Sequence, residues 1–216
     1  MTDVGEIPRL RYDEGCLAAH ALNVVGDRWA LLVVRELMFR PKRFQTIRAG
    51  LPGITAGVLA RRLTELAAAG VVEHDPGLGS YALTDSGRAL MPVLVALCRW
   101  GRLHPGHDPR RFISPTALVI SMTATVDPFA PGSVVAGMAA GRETFTLRAE
   151  GGALTAAAGL AAERRFTLTG DGNALARAVY GSRPLADLVA DGGLGLDGDA
   201  AAAQGFVDRF ILRRPG

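Results

Sequence analysis

The sequence predicts an α+β protein in two parts: a helical first half closed by a β-hairpin, and a second half in which strands come before helices. Three observations predict it. Apolar residues recur at helical spacing through most of residues 16–102, interrupted at 71–83 by two short β-prone runs around a Pro-Gly-Leu-Gly turn. Residues 101–116 gather three prolines and two glycines, the punctuation of a domain boundary. Beyond them, alternating runs at 144–148 and 165–169 precede helical stretches rich in alanine. The expected organisation is a first domain over 1–104, a linker over 105–115 and a second domain over 116–216.

Each element has its own signal. Cys16 to Val25 and Trp29 to Met38 have helical periodicity, with Asp27 as the N-cap of the second helix. Pro41 interrupts the pattern, Phe44 to Ala49 gives a short third helix ending at Gly50, and Thr55 opens a fourth that closes at Gly70. Val71-Val72-Glu73-His74 and Ser80-Tyr81-Ala82-Leu83 form the hairpin, and Asp85 caps a longer helix to Arg102 with Pro92 as a kink inside it. In the second half, Thr116 to Thr125 suits a helix or a strand equally. Thr144 to Arg148 alternates as a strand, Gly151-Gly152 turns it into another, and Arg165 to Thr169 is a third. Helices over Ala174 to Tyr180 and around Pro184 to Val189 follow, then a short strand at 193–198 and a terminal helix capped by Asp199 and running through Phe210. Strands first and helices after suggest an α/β sandwich whose sheet is covered on one face.

With 216 residues, 49% of them apolar and 21% charged, the chain is long enough for one large domain or two small ones, and too apolar to be disordered. Its two cysteines, Cys16 and Cys98, are too few for a disulfide framework and point to a reducing compartment. The first fifteen residues carry six charges and lack the apolar core of a signal peptide, and no uncharged apolar run reaches the ~18 residues of a membrane span. The expectation is a cytoplasmic protein with no membrane partner.

The charge is unevenly spread. Residues 28–62 carry Arg28, Arg35, Arg40, Lys42, Arg43, Arg48, Arg61 and Arg62 against the single acid Glu36, a local charge of +7 in 35 residues. Such a patch suits a polyanion, because each neutralised phosphate releases condensed counterions. Three helices, a fourth and a hairpin are the architecture of a winged helix-turn-helix, whose recognition helix lies in the major groove. Over residues 55–69 a helical wheel puts Leu59, Leu63 and Leu66 on one face and Gly57, Arg61 and Thr64 on the other. Arg61, Thr64 and Thr55 are the candidates for base edges, with Gly57 allowing close approach, and Lys42, Arg43 and Arg48 are assigned to phosphates. Arg62 and the wing's His74 complete the DNA-binding set, although Arg62 falls beside the leucine stripe, where a structural ion pair or stem packing fits better than base contact.

Cys16, Leu22-Asn23-Val24-Val25-Gly26-Asp27-Arg28-Trp29, Arg35-Glu36-Leu37, Arg43-Phe44, Leu51-Pro52-Gly53-Ile54-Thr55, Leu59-Ala60-Arg61-Arg62-Leu63, Tyr81-Ala82-Leu83-Thr84 and Gly87-Arg88-Ala89-Leu90 occur in this order. In them the chain resembles the HxlR-type bacterial transcription regulators over residues 14–102. The resemblance implies a homodimer joined through the first and last helices of this region, each subunit presenting a recognition helix and wing to half of a double-stranded operator, with repression as the expected sign. Leu90, Val93, Leu94, Leu97 and Trp100 give the last helix an apolar face suited to that role. The wing departs from the family in being short and without arginine. Some family members sense electrophiles or oxidants through a cysteine matching Cys16, so a thiol-based redox sensor is the first alternative.

Thr169-Gly170-Asp171, Tyr180-Gly181 and Leu194-Gly195-Leu196-Asp197-Gly198-Asp199 resemble the sterol-carrier-protein-like fold over residues 115–212. That resemblance implies an apolar tunnel between sheet and helices for a small hydrophobic or polycyclic ligand, lined by Met122, Phe129, Met138, Phe145, Tyr180 and Phe206. The second alternative is a metabolite carrier that uses the winged helix only to dimerise. Catalysis finds no support. Gly193, Gly195 and Gly198 match a dinucleotide fingerprint but lack its βαβ setting, and His104 and His107 lack a third metal ligand, so neither cofactor nor metal is expected.

Overall fold

A computed structural model describes residues 11–210 and 212 of the chain. The outermost ends of both expected domains, residues 1–10, 211 and 213–216, lie outside the described residues. The first half runs α1 (Leu17–Val25), α2 (Ala30–Leu37), β1 (Lys42–Arg43), α3 (Phe44–Ala49), α4 (Ala56–Ala68), β2 (Val72–Asp75), β3 (Ser80–Leu83), α5 (Asp85–Arg88) and α6 (Met91–Leu103). The two-residue β1, which carries no sequence signal of its own, joins the hairpin in an antiparallel sheet of order β1-β3-β2. Among the described residues no single helix is long and apolar enough to cross a membrane.

Two local expectations change. Asp27 does not cap α2, whose N-cap is Trp29; its carboxylate pairs instead with Arg62 of α4. The long helix from Asp85 is two helices. Thr84, not Asp85, caps the first by accepting from the Gly87 N–H at 3.2 Å, and the second restarts at Met91 with Pro92 in its first turn. Proline lacks an N–H, so it fits a helix start and costs least there.

The second half runs α7 (Pro115–Thr125), β4 (Ser133–Ala140), β5 (Glu143–Glu150), β6 (Ala153–Ala158), β7 (Phe166–Thr169), α8 (Gly172–Tyr180), α9 (Leu185–Ala190), β8 (Gly195–Gly198) and α10 (Ala200–Val207). The five strands order as β6-β5-β4-β7-β8, antiparallel except where β4 meets β7. Inward residues of alternating strands, among them Met138, Phe145, Leu147, Phe166 and Leu168, form one core with α7, α8 and α10.

Helix α7 resolves the ambiguity of residues 116–125. Ser114 caps it by accepting from the Ala117 N–H at 3.1 Å, and Pro115 occupies its first turn. Its Leu118, Val119 and Met122 belong to the core of the second half, while Ile120 belongs to that of the first. Covered on both sides, the helix has no polar face to give it a helical period. Phe39 of the first half meets Phe145 of the second edge-on, with ring centroids 5.6 Å apart.

A buried charge cluster joins the halves beside these apolar contacts. The Lys42 Nζ lies 3.2 Å from Glu36 Oε2, 2.9 Å from both carboxylate oxygens of Glu143 and 3.0 Å from the Thr116 hydroxyl, which itself donates to Glu143. Glu36, 1% exposed, also accepts from Arg35 at 2.8 Å and from the Ser114 hydroxyl at 2.6 Å. Two cations face two carboxylates, and each proton of the ammonium has an acceptor. Gly50 makes room for this arrangement, since a Cβ there would stand 2.3 Å from Glu36 Oε2.

Removing one partner of a buried pair typically costs ~3–5 kcal/mol, because the other charge stays buried without compensation. Lys42→Met is therefore expected to lower the urea midpoint by a corresponding amount; an unchanged midpoint would show that the cluster does not hold the halves together. A second expectation concerns α7 and α8, where the Tyr180 hydroxyl lies 2.8 Å from Ser121 Oγ and 3.0 Å from Thr125 Oγ1. Burial pushes this phenol up to about 12, against the opposing effect of those hydrogen bonds. An acid with a raised folded pKa contributes stability that is complete below the unfolded value of ~10 and is lost as pH rises through the folded one. Ultraviolet titration should show one phenol ionising only near pH 12, with destabilisation over the same alkaline interval, and Tyr180→Phe should remove that step.

Candidate nucleic-acid interface

Helix α4 is amphipathic in the sense DNA reading requires. Leu59, Leu63 and Leu66 are buried against α2 and the hairpin, so Gly57, Arg61 and Thr64 stand exposed on the opposite face. Thr55 caps the helix, its hydroxyl accepting from the Val58 N–H at 3.3 Å, and Thr64 donates to the Ala60 carbonyl at 3.1 Å. Glu65 binds both arginines, lying 3.0 Å from Arg61 and also contacting Arg62. Arg62 is buried between Asp27 and Glu65. Its assignment to the DNA-binding set is corrected: it fastens α4 to the loop before α2 and does not reach the outward face.

Lys42 also requires correction. At 4% exposure, with its ammonium held by Glu36 and Glu143, it is not available to a phosphate. The pattern of basic residues could not reveal this, because both the strand that turns Lys42 inward and the acid that meets it from 101 residues away are tertiary features. Arg43 and Arg48 are exposed at the two ends of α3. The structure adds two arginines that sequence reasoning did not select. Arg40 donates to the Arg142 carbonyl at 2.9 Å, and both line an open groove of about 430 Å³ with Arg43, Thr46 and the wing residues Leu78 and Ser80. Arg142 sits in the tight turn between β4 and β5, and β4 was not among the expected strands, so no sequence signal placed it beside the wing.

His74 lies on β2, opposite Tyr81, with the two rings stacked at 4.5 Å. The wing turn is held by the Asp75 carboxylate, which accepts from the N–H groups of Gly77 and Leu78. Beyond the wing, α1 and α6 present exposed apolar side chains, among them Leu17, Leu22, Val93, Leu97 and Trp100. Cys16 is exposed at the start of α1, where backbone amides of Ala19 and Ala18 hold its thiol below the ordinary range. Cys98 is half-buried, and burial pushes its thiol up.

The expected ligand tunnel is not present where the sequence placed it. Met122, Met138 and Phe145 are fully buried and Phe206 is nearly so; they fill the space between sheet and helices with close-packed core. Phe129 is 88% exposed and lines no interior. Of the six candidates, Tyr180 borders an open cavity, at the junction of the two halves. His104 packs beside Trp100, and among the described residues no group of three or more metal-ligating side chains gathers.

Comparison with known proteins agrees with the architecture of the first half. Residues 24–108 match the HxlR-like helix-turn-helix family. An HTH-type transcriptional regulator of Methanothermobacter thermautotrophicus is 34% identical over 98 residues, covering 43% of this chain and 75% of that protein. The HTH-type regulator YvaP of Bacillus subtilis is 39% identical over 85 residues, covering 37% of this chain and 79% of YvaP. Among solved structures, the reduced form of the transcriptional regulator YodB from B. subtilis is 34% identical, covering 43% of this chain and 98% of that one, with a TM-score of 0.38. With its helix-turn-helix, its hairpin and these relatives, the chain belongs to the HxlR-like helix-turn-helix family of DNA-binding transcriptional regulators.

Proposed function

We propose that the protein is a homodimeric repressor in which each protomer lays α4 in the major groove of one operator half-site and a small-molecule signal enters through the second half. The observation that carries the DNA-reading part is the outward face of α4, where Arg61 and Thr64 project from a helix whose other side is locked into the core. Arg43 and Arg48 take phosphates, and the groove lined by Arg40 and Arg142 extends that contact from the winged helix onto the second half. Binding requires DNA to compete with Glu65 for the Arg61 guanidinium, an exchange that favours guanine edges or phosphate over an exposed ion pair of little worth.

The exposed apolar side chains of α1 and α6 support the dimer, since Leu17, Leu97 and Trp100 form surface that a second copy would cover. The second half supports the sterol-carrier-like reading through its leading helix, its five-stranded order with one parallel pair, and helices packed on the sheet's apolar face. Domain limits of 1–104 and 116–216 remain part of this proposal, with the DNA-reading role in the first and the sensing role in the second.

A thiol-based reading has one specific observation in its favour, the exposed Cys16 with its lowered thiol pKa at a helix start beside the apolar face of α1. Cys16→Ser separates it from the ligand-based reading. A regulator whose release by diamide survives this change does not signal through Cys16.

Binding to a duplex from the protein's own promoter region, in a salt series with scrambled competitor, tests the whole. Arg61→Ala is expected to cost ~1–3 kcal/mol on the specific duplex and to relax discrimination. Arg43→Ala and Arg142→Ala are expected to weaken all duplexes alike and to reduce the slope of log affinity against log salt by about 1 each. If Arg61→Ala discriminates as the parent does, α4 is not the reading element. If Arg142→Ala leaves the salt slope unchanged, the interface ends at the winged helix.

A further inference from the structure

A cavity of about 540 Å³ opens where the two halves meet, between the end of α6, the connection after it, α7 and α8. This is within the size range of small-molecule sites, ~300–1,000 Å³. Gly101 on α6, Ile113 on the connection and Ala176 on α8 supply apolar wall, and the hydroxyls of Ser121, Thr125 and Tyr180 are set together into it. The charges at the rim are already engaged: Asp108 pairs with Arg110 at 3.0 Å and with Arg111 at 3.9 Å, and Arg102 has a partner as well.

Counting protons in the hydroxyl cluster shows what it lacks. Ser121 Oγ lies 2.9 Å from the Leu118 carbonyl, and Thr125 Oγ1 lies 3.0 Å from the Ser121 carbonyl and 3.4 Å from that of Met122, so both hydroxyls face backbone oxygens that can only accept. Tyr180 brings one proton, yet its oxygen is within hydrogen-bond distance of both side chains, at 2.8 and 3.0 Å. Five oxygen–oxygen contacts share three protons. The cluster has acceptor capacity to spare, in a wall that also holds Cys98, Arg102 and His107.

Gly101 points the same way. It lies inside α6, where glycine disfavours helix; its φ is not positive, and a Cβ on it would meet nothing within 4 Å. Neither backbone nor neighbouring atoms require glycine there, but its missing side chain widens the cavity.

We propose that this cavity binds a compact, uncharged, two-ring-sized apolar molecule carrying one hydroxyl or N–H. Its donor completes the Ser121–Thr125–Tyr180 cluster, and its ring body lies between Gly101 and Ala176. The inference rests on the ligand-controlled reading above and moves the ligand from between sheet and helices to the junction of the halves. An occupant there touches α6, which also carries the exposed Leu97 and Trp100. It therefore shifts the arrangement of paired α6 helices to the extent that it binds one arrangement more tightly than another.

The probes are fluorescent 2-naphthol and its methyl ether 2-methoxynaphthalene, which has the same ring body without the donor, titrated into the full-length protein. The expected result is one saturable 2-naphthol site per protomer, with the ether at least about tenfold weaker, as loss of one buried hydrogen bond implies. Gly101→Phe, and independently Ala176→Leu, should weaken 2-naphthol at least about tenfold while circular dichroism and promoter binding stay as in the parent. Equal affinity for the two probes, no saturable 2-naphthol binding, or binding undiminished in both filled variants overturns the site. The same titrations with promoter DNA present separate this inference from the reading beneath it. Cavity binding that leaves DNA affinity unchanged upholds the site and removes ligand control, and a parent protein that binds no DNA specifically removes the regulator with the site still standing.

Discussion

The arrangement of the molecule depends on one buried ammonium. Lys42 leaves the first half on a two-residue strand and ends between Glu36, from its own half, and Glu143, from the other. Once in this environment the three groups constrain one another, because each is buried in a medium where an unpaired charge is far more costly than in water. The geometry that satisfies them fixes β1 against β3 of the wing and brings the β4–β5 turn beside it. Phe39 against Phe145 and Ile120 in the first core add apolar area to the same junction. The wing and the second half are thus held by one set of contacts, and whatever displaces one strains the other.

Glu65 holds a comparable position within the recognition helix. It serves Arg62, which is structural and ties α4 to Asp27, and Arg61, which faces outward. Two adjacent arginines of the same charge thereby have opposite duties, decided by a rotation of one residue along the helix. The inward one is buried between Asp27 and Glu65, and the outward one shares Glu65 in an exposed pair.

The helix-turn-helix was legible because its signals are local. The leucine period of α4, the Thr55 cap, the glycine after α3 and the Pro-Gly-Leu-Gly turn act within a few residues, and the structure keeps them all. What was not legible depends on residues far apart in sequence. Lys42 read as a surface cation because Glu143 lies 101 residues away. Helix α7 read as ambiguous because both of its neighbouring cores lie outside its own segment, and β4 went unseen because its small residues, Gly137 and three alanines among them, alternate weakly. The large side chains chosen as tunnel lining, Met122, Met138, Phe145 and Phe206, show the same limit: sequence identifies apolar bulk, and only packing decides whether bulk encloses a space or fills it.

Helix α7 bears on how such a protein could have arisen. Because Ile120 belongs to one core and Leu118, Val119 and Met122 to the other, the segment is common property of both halves. A chain cut anywhere in the connection at 105–114 leaves one fragment without Ile120 in its core and with α2 and α6 bare where α7 packed, and the other fragment with a helix half stripped of cover. The two halves are therefore not interchangeable cassettes. Exchanging one half for another would have to reproduce both this helix and the Lys42 pocket.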